Sequence, residues 1–241
     1  MLDADSDTVA ANLAAVRARL ERAARTAGRD PATIRLLAIS KTFSADAVRA
    51  AYQAGQRDFG ENKVQEALQK MEQTADLPID WHLVGHLQSN KAKRVTGFAA
   101  IHAIDSRELL LRIDRAAAEQ GTAPRVLLQV DLAGETTKFG IPETDVAGLI
   151  GTELHAARLV GLMLLPPYAE NPEDVRPWFR RLRELADRLR GEGTPPERLA
   201  ELSMGMSHDF EVAIQEGATM VRVGTAIFGE RQVPAGTEKS R

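Results

Sequence analysis

Apolar residues near the start of the chain recur every three or four positions: Val9, Leu13, Val16, Leu20 and Ala24 share one side, with arginines and Glu21 opposite. That spacing predicts an amphipathic helix with one buried stripe. Gly28 and Pro31 end it. Beyond them the pattern changes to short apolar runs with little polar alternation, at 36–41, 57–60, 81–85, 101–104, 126–132, 159–165, 201–204 and 220–224. Such runs predict strands buried on both faces. Helical patterns separate them at 45–54, 63–72, 106–120, 143–154, 172–190 and 208–216. An α/β alternation of this kind predicts parallel strands, and eight of them suit a closed (β/α)8 TIM barrel with an extra N-terminal helix. An open doubly wound sheet is the second choice, but no Gly-x-Gly-x-x-Gly follows the first strand. The expected division is a single domain over 1–241, with a helical extension at 5–35, the barrel at 36–230 and a frayed tail at 231–241.

Composition narrows the class. A chain of 241 residues fits one large core, and 44% apolar with 27% charged residues excludes disorder. There is no cysteine, which removes disulfides, iron–sulfur clusters and thiolate zinc sites. A net charge of −3 lacks the footprint of a nucleic-acid binder. Asp3 and Asp5 stand where a secretory signal would carry bases, and no apolar stretch approaches the ~20 residues of a membrane span. The expectation is a cytoplasmic protein, with no nucleic acid and no membrane among its partners.

Barrels of this type place their chemistry at the C-terminal ends of the strands. The first run ends in Lys41, in line with Leu37 and Ile39. Desolvation there favours the neutral, nucleophilic amine that condenses with an aldehyde, whereas a lysine snorkelling out of the mouth is the bland alternative. The seventh and eighth runs lead into turns of small and hydroxyl residues around Ser203, Ser207, Gly224 and Thr225. In these barrels that pair of loops is the usual phosphate cup, and helix capping is the simpler role for Ser207 and Thr225. Alternation along the last strand points Met220, Arg222 and Gly224 inward. A buried guanidinium there needs an acceptor, either a ligand or an internal carboxylate. A lysine, an anion cup and an arginine together suit a phosphorylated aldehyde held as an imine; pyridoxal 5′-phosphate and a sugar-phosphate aldolase substrate both have that chemistry. His82 and His86 lie four apart on a strand and lack a third ligand at recognisable spacing. The basic stretch 89–94 reads as a solvated helix start, and Glu61 and Glu66 fall near the mouth without a defined pairing.

Five segments carry a more specific signal: AISKT at 38–42, FGENKVQE at 59–66, WHLVGHLQSNK at 81–91, LSMGMS at 202–207 and MVRVGTAIFG at 220–229. Together, and in this order, they resemble the pyridoxal phosphate homeostasis protein family, itself similar to the fold-type III barrel domain of alanine racemase. The resemblance implies that Lys41 holds pyridoxal 5′-phosphate as an internal aldimine. It also implies a phosphate on Ser203, Ser207, Gly224 and Thr225, Arg222 facing the pyridine nitrogen, and Asn62 and Met163 lining the ring. The implied role is vitamin B6 homeostasis without an established turnover reaction, in a monomer that passes the cofactor to pyridoxal phosphate-dependent apoenzymes. A fold-type III amino-acid racemase is the alternative; it needs a second domain and a catalytic tyrosine, for which Tyr168 is the best candidate here. Lys138 belongs to the family pattern with no role assigned.

Overall fold

The computed structural model describes residues 5–134 and 139–230. Nine strands form one parallel sheet: β1 (Arg35–Ile39), β2 (Asp58–Glu61), β3 (Asp80–Leu83), β4 (Ala100–Ile104), β5 (Arg125–Asp131), β6 (Ile141–Pro142), β7 (Arg158–Leu164), β8 (Glu201–Met206) and β9 (Met220–Val223). Eight of them close a barrel in the order β1-β2-β3-β4-β5-β7-β8-β9, with β9 returning to β1 through Leu37 opposite Arg222. The ninth, β6, is a two-residue addition that pairs Ile141 with Val130 at the end of β5. It was not expected, because two residues leave no periodicity to read.

Alternation sorts the side chains into two layers. Leu37, Ile39, Val84 and Met220 form one cluster inside the barrel, and Ala100, Leu127 and Met163 form another. Their sequence neighbours Leu36, Ala38, Val126, Leu128, Val221 and Val223 belong to the large outer core beneath the helices. The helices are α1 (Ser6–Thr26), α2 (Ala45–Gln53), α3 (Val64–Gln73), α4 (Arg107–Gln120), α5 (Glu143–Ile150), α6 (Arg176–Gly191), α7 (Phe210–Gln215) and α8 (Thr225–Phe228). Between β3 and β4 the crossover is a 3-10 helix, Ser89–Arg94, where a solvated helix start was expected. Ala92 is its buried anchor, and Lys93 reaches Glu119 of α4 at 2.8 Å.

The extra N-terminal helix has a structural job. The last barrel helix, α8, has only four residues, too few to cover the β9–β1 seam. α1 lies over it, burying Val9, Leu13, Val16, Leu20, Ala23 and Ala24 and packing on α2, α7 and α8. Asn12 donates to the Ile227 carbonyl at 3.0 Å, and Arg19 grips Glu211 with two bonds of 2.6 and 3.0 Å. Asp5 caps the start by accepting from the Thr8 amide. Among the described residues, no helix is long and apolar enough to cross a membrane.

Candidate functional site

The C-terminal ends of the strands surround a cavity of about 590 Å³. Lys41 after β1, Asn62 after β2, Ser207 after β8, and Arg222, Gly224 and Thr225 at the end of β9 all line it. Six of the eight residues singled out from the sequence are thus brought together. The other two lie one layer deeper: Ser203 is fully buried against His102 and Arg222, and Met163 packs in the interior with Ala100 and Leu127. The rim adds Phe139, Leu165, Tyr168 and Met206, all exposed apolar side chains. Tyr168, 79% exposed, stands 6.0 Å from the His208 ring. Lys138 lies outside the described residues.

Lys41 is half-buried, and the backbone on either side of it is gripped from behind. Lys70 of α3 is fully buried and donates to the Ser40 carbonyl at 2.7 Å, to Glu61 at 2.6 Å and to Glu66 at 2.9 Å. Glu66 in turn accepts from the Thr42 amide at 2.5 Å. Thr42 has φ 74°, a left-handed conformation that costs a β-branched residue about 1–3 kcal/mol and persists only when its surroundings impose it. Burial pushes the Glu61 carboxyl up, opposed by Lys70 and by the Ser40 hydroxyl. Glu61 and Glu66 therefore face this clamp as a pair around Lys70, which sequence reasoning left undefined.

The two loops opposite Lys41 are laced to each other. The Ser207 hydroxyl oxygen accepts from the Gly224 amide at 3.1 Å and from the Ala226 amide at 3.4 Å. Ser207 is not the N-cap of its own helix, since α7 starts after Asp209; it reaches across to the first turn of α8 instead. Gly224 packs closely on β1: a Cβ there would stand 3.1 Å from the Ile39 carbonyl oxygen, tighter than an ordinary contact. Gly85 likewise lets β3 approach Asn62, whose carbonyl oxygen a Cβ would meet at 2.2 Å.

Arg222 is 4% exposed and donates to Ser203 Oγ at 2.7 Å and to the Leu164 carbonyl at 2.9 Å. Its hydrogen-bond partners among the described residues are neutral, and the internal carboxylate left open by the sequence is Asp209, buried nearby and acting on it without a hydrogen bond. Burial lowers the pKa of Arg222 to about 10, so it stays charged at neutral pH. His82 and His86 separate: His82 lies inside the barrel against His102 and Asp58, while His86 pairs with Asp105 at 3.1 Å and stacks on Phe139. Among the described residues, no group of three or more His, Asp or Glu side chains is placed to hold a metal.

His102 carries a testable consequence. Burial, then the neighbouring His82 and three arginines, hold its pKa well below the usual 6.5. The unfolded chain protonates first, so this contribution to stability is complete above about pH 6.5 and is lost as pH falls below it. Between pH 7 and pH 5 the loss amounts to about 2 kcal/mol for one such histidine. Denaturant titrations of wild type and His102→Gln will show it as a difference in slope against pH, and parallel curves would refute it.

The profile of the family described as "Alanine racemase, N-terminal domain" matches residues 11–232. The pyridoxal phosphate homeostasis protein of Aquifex aeolicus is 45% identical over 223 residues, covering 91% of this chain and 97% of that one. Its namesake from Pseudomonas aeruginosa is 46% identical over 231 residues, covering 95% and 98%. Among solved structures, PipY of Synechococcus elongatus, with PLP bound, superposes with a TM-score of 0.80 at 40% identity, covering 92% of this chain and all of that one. With an alanine racemase-type barrel and this likeness along nearly its whole length, the chain belongs to the pyridoxal phosphate homeostasis protein family.

Proposed function

We propose that the cavity binds pyridoxal 5′-phosphate through Lys41 and that the protein holds this cofactor for cytoplasmic supply, without a turnover reaction of its own. The observation that carries the reading is the convergence of Lys41, Arg222, Ser207, Gly224 and Thr225 on one cavity, in a chain 40% identical to a relative solved with PLP. When bound, pyridoxal phosphate supplies an aldehyde that condenses with amines and a ring that withdraws electrons.

The donor set fits that group. The Lys41 amine is the nucleophile available to an aldehyde, and the Ser207 and Thr225 hydroxyls and the loop amides offer donors to a phosphate. Arg222 spends two N–H bonds on Ser203 and Leu164, and its guanidinium has five to give and no acceptor. Facing a pyridine nitrogen, it would act as a donor and would leave that nitrogen unprotonated, so the ring would be a weaker electron sink. That favours holding over carbanion chemistry. Asn62 lines the ring side of the cavity, Ser203 and Met163 support it from below, and Tyr168 covers the mouth. Recipients of the cofactor are pyridoxal phosphate-dependent apoenzymes, served by a monomer.

The test is a spectrum and a mass. Purified protein loaded with pyridoxal phosphate will absorb in the visible, and borohydride will fix the cofactor on the peptide that contains Lys41. A protein that takes up no cofactor would end the proposal, and solvent exchange of an amino-acid α-proton at enzymatic rates would replace it with the racemase reading.

A further inference from the structure

A single file of polar side chains crosses the barrel interior from its N-terminal end to the cavity. Asp58, at the start of β2, meets His82 Nε2 at 3.1 Å. His82 Nδ1 lies 3.0 Å from His102 Nε2, and His102 Nδ1 lies 2.9 Å from Ser203 Oγ. Ser203 Oγ then meets Arg222 at 2.7 Å. His82, His102, Ser203 and Arg222 are all buried, the least so at 4% exposure. Asp58 is the partly exposed end, with Arg35 at 3.5 Å.

The two ends dictate the direction of every bond between them. A carboxylate only accepts, so His82 Nε2 donates to Asp58. A neutral His82 then accepts at Nδ1, which requires His102 to donate from Nε2 and accept at Nδ1. Ser203 donates its one proton to that nitrogen and offers its lone pairs to Arg222. The other end is compatible with it: Arg222 donates to one lone pair of Ser203 Oγ, which leaves the Ser203 proton for His102 Nδ1. Every member is satisfied by one arrangement and by no mixture of tautomers. Burial holding His102 neutral agrees with it.

We propose that Asp58, His82, His102 and Ser203 are positioning residues: a one-directional hydrogen-bond relay that orients Arg222 toward the ring nitrogen of the bound cofactor. The target of Arg222 rests on the pyridoxal phosphate reading above; the direction of the relay does not. No carboxylate hydrogen-bonds Arg222 among the described residues: the buried Asp209 acts on it through space, and the relay joins it through Ser203, His102 and His82 to Asp58. Hydrogen bonds in such a chain polarise one another in a low-dielectric interior. The guanidinium is thereby held with two N–H bonds committed behind it and the rest turned to the cavity.

Two measurements decide the matter. In 15N correlation spectra of the protein without added cofactor, His82 and His102 will both be neutral with the proton on Nε2 at neutral pH. A proton on Nδ1 of either ring, or a second proton on His82, overturns the relay. Pyridoxal phosphate affinity is then read by visible absorbance in two variants of His102, which does not line the cavity. His102→Leu cuts the chain and will weaken binding by about tenfold or more, the worth of a hydrogen bond to a charged group. His102→Gln, whose amide can accept from Ser203 and donate to His82, will restore it. Equal affinity in wild type and His102→Leu overturns the positioning role while leaving the cofactor site intact. A wild-type protein that binds no pyridoxal phosphate overturns the site itself, with the tautomers as found.

Discussion

Lys41→Ala will abolish the borohydride-fixed adduct and the imine band of the loaded protein, while leaving weaker binding of the aldehyde through Arg222, Ser207 and Thr225. The loss is complete because the link depends on an amine. Among the described residues that line the cavity, Lys41 is the lysine. Lys41→Arg separates charge from nucleophilicity. It keeps the positive charge at the same place, but a guanidinium does not lose its proton in proteins and cannot condense with an aldehyde. Both variants should therefore fail alike in the reduction experiment, read as the mass of the intact chain. An adduct of undiminished yield in Lys41→Arg would move the chemistry to another amine and remove the main support for the proposed function. The clamp on the Ser40 carbonyl and the Thr42 amide is made by Lys70 and Glu66 and stays in both variants.

The barrel was legible because its strands are buried on both faces and so appear as short, mostly apolar runs. Lys41 and Arg222 stood out as charged residues at the C-terminal ends of two such runs, where a barrel opens to its mouth. Depth was harder to read. Ser203 and Ser207 occur in one short motif, yet only Ser207 reaches the cavity, and Ser203 turns inward to His102 and Arg222. Alternation separates the two faces of a strand but does not say how far below the rim a residue stands. The interior relay was invisible, since its bonds join residues 20, 24 and 101 positions apart. His82 drew notice only through its spacing to His86, which turned out to be unrelated. The role of α1 also escaped notice. Its periodic stripe announced a buried face, but only the shortness of α8 explains what that face covers.

Lys70 presents the opposite case, a residue whose sequence context suggested nothing unusual and whose removal should be among the most damaging. Glu66 and Lys70 are spaced as an ordinary surface pair on a helix, worth about 0.3–0.5 kcal/mol when exposed. In the structure Lys70 and Glu61 are both fully buried and 2.6 Å apart. Breaking a buried pair by deleting one partner costs about 3–5 kcal/mol, because the survivor keeps a charge without compensation. Lys70→Met should therefore lose about that much stability, a large part of the ~5–15 kcal/mol typical of a folded domain. For a chain of this size the melting temperature would fall by about 10 °C. The pH dependence identifies the cause. Glu61 already has its carboxyl pushed up by burial, and without Lys70 the neutral form is favoured further. A raised carboxyl contributes stability below its unfolded value and loses it as pH rises through the folded value. The deficit of Lys70→Met should accordingly shrink on acidification and grow toward neutral pH. Adding Glu61→Gln should recover much of it, because the buried charge is then gone. Denaturant titrations of the three variants at two pH values provide the measurement. A Lys70→Met protein within about 1 kcal/mol of wild type at neutral pH would mean that Glu61 is not the buried anion described, and that the backbone around Lys41 is held by something else.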